Sequence, residues 1–437
     1  MAQNGEEKKK YKFLFVTEEA LSVDLAWQLT KEGHDVKFFC QEQPEKDVGD
    51  GFIQKIDTWD KTWDAIKDWA DVIIFDDVGF GSKAEQLRKD GKFVVGGSIY
   101  TDRLELDREF GQEELKKAGV NVLPSWNFTS FDEAITFVKA NPDRYVLKPS
   151  GNIQDEKELL FIGQEEDGKD ILQVLEHYKI TWSKKIKEFQ IQKFIEGVEV
   201  AVGAFFNGKD FVQPININFE HKRLFPNELG PSTGEMGTSM WWAKSNPVYE
   251  STLLKMKEKL AASGYIGYID INCIVNTKGI CPLEWTSRFG YPTISIQMEG
   301  VTSEWGIFLY DLAHGKDAQL KTKKGYQVGV VIAIPPFPFE DEKAFKKYSE
   351  GATILFRRQN IDGVHIGEVK REGDDWYIAG KSGYALVVTG SGTAMSDAIK
   401  SAYQNVKNIM IPNMFYRNDI GQRWTRDSDM LLSWGYF

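Results

Sequence analysis

Cysteine is scarce in this chain: 437 residues carry three, Cys40, Cys273 and Cys281. Three thiols cannot build a disulfide framework, so a reducing compartment is expected. Histidine is scarce as well. The five histidines, His34, His177, His221, His314 and His365, show no H-E-x-x-H metal spacing, and no C-x-x-C pair is present. A Walker A sequence is also absent, and the one G-x-S-x-G match, Gly230–Gly234, does not join an apolar strand to a helix as a nucleophile elbow would. Zinc-hydrolase, serine-hydrolase and P-loop ATPase readings therefore drop out. Long hydrophobic runs are missing too. The apolar run after MAQNGEEKKK is too short to span a membrane, and no small-residue cleavage site follows it. A soluble cytoplasmic protein without a membrane partner is the expectation. Positive charge is in deficit: 54 Lys and Arg against 65 Asp and Glu give a formal net charge of −11. That balance argues against a main task of gripping nucleic-acid phosphates. A small anionic substrate would need its own focused positive pocket. The run Lys8–Lys10 reads as a solvated tail.

Hydrophobic residues make up 42% and charged residues 27% of the chain, which is ordinary globular composition. The length suggests two to four domains. Tyr11–Thr17, Asp35–Cys40, Asp71–Phe75 and Lys92–Gly96 read as buried strands. Helical stretches Ser22–Glu32 and Ser82–Lys89 alternate with them, which implies a parallel sheet covered on both faces. From about Thr101 the pattern changes to α+β. The spacing predicts one helix over Arg103–Ala118, then a small unit reaching Phe194. Val198–Asn207 and Phe211–Phe219 pair around the Asn207-Gly208 turn. A long helix is expected over Val248–Ser263, before the paired strands Tyr268–Val275 and Ile280–Trp285. After about Lys321 a separate module is expected.

Four places could carry chemistry. Glu220-His221-Lys222-Arg223 precedes Gly230-Pro231-Ser232-Thr233-Gly234-Glu235-Met236-Gly237, a charged cluster beside a loop whose small residues let backbone approach a ligand. A surface turn with a solvated charge run explains it equally on spacing alone. Leu283-Glu284-Trp285-Thr286-Ser287-Arg288 places a carboxylate near the end of an apolar strand, a plausible Mg²⁺ ligand. Asp270 and Asn272 share a face of the preceding strand, and one of them could meet Glu284 across the hairpin. Arg144–Asn152 sets Lys148 and Ser150 after a buried strand, like a phosphate clamp. Gln192–Glu199 could be a hinge that offers backbone to adenine and a carboxylate to ribose. Each of these signals is weak alone.

Taken in order, the segments resemble the phosphoribosylamine–glycine ligase (glycinamide ribonucleotide synthetase) family of the ATP-grasp superfamily, with this chain as a divergent member. The family's D-H-K-R and G-P-N-T-G-G-M-G look like Glu220–Arg223 and Gly230–Gly237. Its E-F-N-C-R-F-G-D-P looks like Glu284–Pro292. Its E-E-F-L-x-G-E-E looks like Gln192–Glu199, and its R-K-D-I-G-x-R looks like Arg417–Arg423. The segment Gly96–Arg108 is also similar. The resemblance implies a multidomain α/β and α+β chain with the ATP-grasp fold. Its expected parts are an N-terminal parallel α/β domain at 1–100, a core at 101–123 and 198–324, a lid at 124–197, and a β-rich C-terminal domain at 325–437. It implies an ATP-dependent ligase: ATP phosphorylates a carboxylate, and an amine attacks the acyl phosphate to give an amide and ADP.

The resemblance also implies roles. Arg108, Lys148 and Ser150 would contact ATP phosphates, backbone of Lys193 and Ile195 would meet adenine, and Glu199 the ribose. Glu284, with Asp270, Asn272 or Thr286, would hold Mg²⁺ or Mn²⁺. Arg288, Lys222 and Arg223 would act on the reacting groups, with Glu220, Gly234, Glu235 and Gly237 around the substrate. The partners would be a small carboxylate such as an amino acid, and an amine. Nucleic acid is disfavoured, with a modified base left open, and the chain would be a monomer or homodimer.

Departures from the family pattern matter as much. Where the family has G-x-G-G-R-E-H-A-L for the phosphoribosyl phosphate, this chain has Thr17-Glu18-Glu19-Ala20-Leu21. Two carboxylates would repel a phosphate there. The lid loop Lys148–Lys157 keeps one glycine, Thr286 replaces Asn, Tyr291 replaces Asp, and Glu235 replaces Gly. Three readings follow: a ligase with an altered amine acceptor, a ligase with the family reaction in purine biosynthesis, and a non-catalytic nucleotide-binding descendant.

Overall fold

The computed structural model describes residues 9–57, 66, 68–150, 160–339 and 341–437. Lys8, Leu159 and the lid-loop stretch Gly151–Lys157 lie outside them. The chain starts as its apolar runs demand. Strands β1 (Lys12–Thr17), β2 (Asp35–Cys40), β3 (Val72–Phe75) and β4 (Val94–Val95) form a parallel sheet in the order β2-β1-β3-β4. Helices α1 (Val23–Lys31) and α2 (Gly81–Lys89) connect them. Gly33 ends α1 with φ at +95°, the left-handed region glycine reaches freely.

The helix expected over Arg103–Ala118 is two: α3 (Ile99–Leu106) and α4 (Arg108–Lys117). Asp107 breaks it. Its backbone is extended, and its carboxylate accepts the Phe110 N–H as the N-cap of α4. The break turns Arg108 toward the next unit, where its guanidinium donates to the Pro149 carbonyl at 3.0 Å. That unit is an antiparallel sheet of β5 (Ser125–Phe128), β6 (Tyr145–Pro149), β7 (Phe161–Ile162) and β8 (Phe189–Lys193), ordered β5-β8-β6-β7. Helices α5 (Phe131–Ala140) and α6 (Lys169–Thr181) cover it and close a small core of its own around Val138, Leu147 and Leu175.

The largest sheet begins with β9 (Val198–Asn207) and β10 (Ile215–Glu220), which pair antiparallel. The loop between them is longer than an Asn-Gly turn alone. Phe206 bridges Phe211, and β10 resumes only after Pro214, which has no N–H to donate. A small hairpin follows, β11 (Arg223–Phe225) and β12 (Leu229–Ser232), then β13 (Gly237–Ala243). The long helix expected over Val248–Ser263 is instead α7 (Pro247–Ser251), a 3₁₀ turn at Leu253–Met256, and α8 (Lys257–Ala262). Thr252 leaves helical geometry at φ −127° and ψ −86°, and its hydroxyl bonds back to the Val248 carbonyl. Strands β14 (Ile266–Asn276) and β15 (Gly279–Thr286) form the expected hairpin, followed by α9 (Thr293–Gly300) and α10 (Trp305–Ala313).

The last third supplies β16 (Tyr326–Ala333), α11 (Glu342–Tyr348), β17 (Thr353–Phe356), β18 (Val364–Ile366), β19 (Val369–Glu372), β20 (Asp375–Ile378), β21 (Tyr384–Gly392), α12 (Met395–Val406), β22 (Ile409–Met410) and α13 (Trp424–Ser433). Its first strand joins the large sheet. β13 bonds β16, and the large sheet runs β15-β14-β9-β10-β13-β16-β21-β18 as one antiparallel surface. The boundary expected at 324/325 therefore falls inside a sheet. The remaining strands form a second small sheet, β19-β20-β17-β22. No helix among the described residues is long and apolar enough to cross a membrane.

Two polar ties lock the parts. Glu32 at the end of α1 accepts the Trp305 and Gly306 N–H groups at 3.0 and 2.8 Å. Arg417, 1% exposed, meets Asp419 through two bonds of 2.8 Å, Glu228 at 2.8 Å and the Arg223 carbonyl at 2.9 Å. Arg417→Ala would leave these acceptors without their donor. We expect a loss of about 3 kcal/mol in urea-melt stability, as for a broken buried pair whose partners are partly wet. A change under about 0.5 kcal/mol would show that the tie contributes nothing.

Candidate active site

A cavity of about 580 Å³ opens between the β5–β8 sheet, α3–α4 and one face of the large sheet. Strand alternation explains what lines it. Glu220 and Lys222 face the cavity, while His221 between them is buried on the other side. Burial pushes His221 down to about 3, so it is neutral. On β14, Asp270 and Asn272 share a face as expected, and register sets Asn272 opposite Glu284 and Asp270 opposite Thr286.

Lys222 is the centre of the charge arrangement. Its ammonium lies 2.7 Å from Glu284, 3.2 Å from Glu199 and 3.2 Å from Glu220. The Asn272 amide donates to Glu199 and Glu220 at 2.9 Å each, holding two of those carboxylates side by side. Burial opposes the charge on Lys222, yet Glu284, Glu199 and Glu220 hold it well above the ordinary lysine value. Lys222 in turn holds Glu284 far below the usual carboxylate range, against burial. Across from them, burial and then Arg108 push Lys148 down to about 7.

Arg288 forms a second centre. Its guanidinium meets Asp77 at 3.0 Å and Glu105 at 3.1 Å. Burial works against its charge, but Glu105 and Asp77 outweigh that and raise its pKa. Glu105 also accepts the Ser287 N–H at 2.6 Å, which fixes the turn before Arg288. Sequence reasoning missed Asp77 and Glu105. The available signal was a pair of carboxylates, Asp76-Asp77, just past the C-terminal end of a buried parallel strand, where open α/β sheets place ligands.

The cavity brings together Arg108, Lys148, Lys193, Ile195, Glu199, Glu220, Lys222, Arg223, Gly234, Glu235, Asp270, Glu284, Thr286 and Arg288. Ser150, Gly237 and Asn272 are not among its lining residues. The Ser150 N–H donates to the Glu188 carbonyl. Gly237 serves packing: its φ is +149°, and a Cβ would meet the Gly329 carbonyl oxygen at 2.5 Å. Lys193 spends its N–H on the Pro124 carbonyl and its ammonium on Asp143 at 2.6 Å, so its own carbonyl is what it has left for a base.

Among the described residues no group of three or more His, Cys, Asp and Glu side chains is arranged to hold a metal as it stands. The donor chemistry nevertheless suits Mg²⁺. Glu284, Glu220 and Glu199 converge as hard oxygen donors, and the buried Asn272 Oδ1 has no hydrogen-bond partner.

The N-terminus of α1 is the place where an anion would ordinarily settle. Here one N–H at the helix start is already taken by a carboxylate. The Ser22 N–H donates to Asp76 at 3.0 Å. Asp24 in the first turn is held by His365 at 2.8 Å, Ser295 at 3.2 Å and the Ile366 N–H at 3.2 Å. Burial and Asp77 raise the Glu18 carboxyl, and Glu19 pairs with Lys381 at 3.2 Å.

Comparison with known proteins agrees with this architecture. Family models for phosphoribosylglycinamide synthetase match twice, the ATP-grasp (A) domain over residues 106–294 and the C domain over 327–423. A phosphoribosylamine–glycine ligase of Listeria innocua is 25% identical over 331 residues, covering 73% of this chain and 76% of its own. One from Streptococcus pneumoniae is 24% identical over 368 residues, covering 80% and 82%. The crystal structure of phosphoribosylamine–glycine ligase from Thermotoga maritima superposes with a TM-score of 0.70 at 20% identity, covering 94% of this chain and all of that one. The biotin carboxylase domain of Hydrogenobacter thermophilus 2-oxoglutarate carboxylase shares the fold at a TM-score of 0.64 and 14% identity, covering 93% and 91%. The chain thus belongs to the phosphoribosylglycinamide synthetase family of ATP-grasp ligases.

Proposed function

We propose that this protein joins a small carboxylate, an amino acid in the simplest case, to an amine that carries no phosphoribosyl group, at the expense of ATP. The carrying observation is the α1 N-terminus, where Asp76 accepts the Ser22 N–H in place of an anion and Glu18 and Glu19 stand in the loop just before the helix. A phosphate brought there would meet carboxylates instead of bare N–H groups. The ATP side, in contrast, keeps its cations and its metal-type carboxylate in one cavity. That asymmetry supports reading the acceptor as the part that departs from the family.

The residues divide the work. Arg108 from the start of α4 and Lys148 from β6 bind and orient the ATP phosphates. The carbonyl of Lys193 and the backbone of Ile195 take adenine, and Glu199 takes the ribose. Bound Mg²⁺ supplies charge neutralisation on the transferring phosphoryl group. Glu284 would hold it with Glu220 and the orphaned Asn272 carbonyl oxygen, and Asp270 and Thr286 stand beside them. The Lys222 ammonium already sits among these carboxylates, positioned to follow negative charge as it develops. Arg288, braced by Asp77 and Glu105, orients the acyl carboxylate. The lid excludes water, which would hydrolyse an acyl phosphate.

Hydroxylamine tests the acyl-phosphate half without knowledge of the acceptor. With Mg-ATP and each common amino acid, one or more should give hydroxamate and ADP. Glu284→Gln and Lys148→Ala should each lower that rate about 10²–10³-fold with an unchanged melting temperature. Full activity in either variant would show the assignments to be misplaced. Replacing hydroxylamine by phosphoribosylamine should give little product with glycine. Efficient glycinamide ribonucleotide formation would establish the family reaction instead. Absence of ADP with every carboxylate, and no thermal shift with Mg-ATP, would favour the non-catalytic reading.

Lys148 gives a pH test. Its depressed value means that it is cationic below about 7 and loses charge as pH rises through that point. ATP binding to the free protein should weaken across that range. Lys148→Arg, which stays cationic, should flatten the dependence in calorimetry.

A further inference from the structure

The loop between β12 and β13 holds Glu235 in an unusual state. Thr233 donates its N–H and hydroxyl to the Lys222 carbonyl at 2.7 and 2.8 Å, and Met236 donates its N–H to the His221 carbonyl at 2.8 Å. The loop is therefore pinned on both sides of Glu235. The side chain cannot swing out to water, and it is 6% exposed. It lines the cavity, yet its Oε1 has no hydrogen-bond partner among the described residues. A buried carboxyl without a donor is costly to leave that way.

The neighbours do not satisfy it. Glu220, Asp270 and Glu199 surround it with like charge, and burial with these groups raises its pKa well above the ordinary value. Lys222 is the nearby cation, but three other carboxylates hold its ammonium. Arg288 is held by Asp77 and Glu105. On β21, the Tyr384 hydroxyl interacts with the Glu235 charge and is likewise buried without a hydrogen-bond partner. Its O–H can donate or accept. This end of the cavity thus offers acceptors and negative potential in excess of donors. Glycine stands at this position in the motif that the loop resembles, so the carboxyl is a feature of this chain.

We propose that Glu235 forms a subsite for a cationic nitrogen on the acceptor, so that the acceptor is an alkylamine or diamine type of molecule. The inference rests on the reading of this cavity as a ligase site, and it narrows the acceptor from "not a phosphoribosylamine" to a molecule that brings positive charge. An ammonium supplies the N–H donors that Glu235 lacks, and it enters a region already rich in carboxylates.

Calorimetric titration of the full chain with 1,4-diaminobutane and with butylamine, in the presence of Mg-ADP, tests it. Wild type should bind at least one of the two. Glu235→Gln, which keeps the shape but cannot ionise to pair with an incoming ammonium, and Glu235→Gly should each weaken binding about tenfold or more. Thermal melting checks that each variant folds, and either one suffices. Equal affinity in wild type and variants overturns the subsite, as does the absence of binding to wild type. Glu235-dependent binding in a protein that forms no hydroxamate supports the subsite and removes the ligase reading. Hydroxamate formation that neither amine inhibits or diverts overturns the subsite and leaves the ligase reading in place.

Discussion

One ammonium group holds the site together. Lys222 gathers Glu199, Glu220 and Glu284 from three different strands, and without it those carboxylates would repel one another across the cavity floor. Asn272 secures two of them from the fourth strand. Like charges at this separation are tolerable only with a counter-charge between them. The arrangement therefore depends on a cation, and in this structure the Lys222 ammonium is that cation. The loop that carries Glu235 hangs from the backbone of Lys222 and His221, so its geometry follows from the same strand end.

The N-terminal sheet shows the opposite economy. Its strands end in carboxylates at Glu18, Glu19, Asp76 and Asp77, and three of them are answered by a protein donor or cation: Lys381 for Glu19, Ser22 for Asp76, Arg288 for Asp77. Arg288 is in this way drawn between the N-terminal sheet and α3. A residue that the motif assigns to the substrate is also a clamp between two parts of the fold.

Much of this was legible in the chain. Alternation along Tyr268–Val275 put Asp270 and Asn272 on one face, where one of them could meet Glu284 on Ile280–Trp285, and the pairing register sets Asn272 opposite Glu284. The parallel strands were visible as short apolar runs, because strands buried on both faces carry few polar residues. What escaped was set by distance or by a single capping side chain. Asp107 looks like one more polar position on a helix until its carboxylate caps the next one. Thr252 breaks another helix through a local hydroxyl bond. Glu105 and Asp77 acquire meaning only when the fold brings Arg288 between them. Glu235 was visible as a departure, but its isolation from donors needed the pinned loop.

The sheet that continues from β13 into β16 also determines how the protein can be taken apart. β13 spends one edge on β10 and the other on β16. A fragment ending at 324 would bare a seven-residue strand, Gly237–Ala243, with its backbone donors and acceptors unpaired along one side. Such an edge recruits other chains. A cut along the homology boundary exposes that edge, and only a fragment that reaches through β16 covers the strand on both sides.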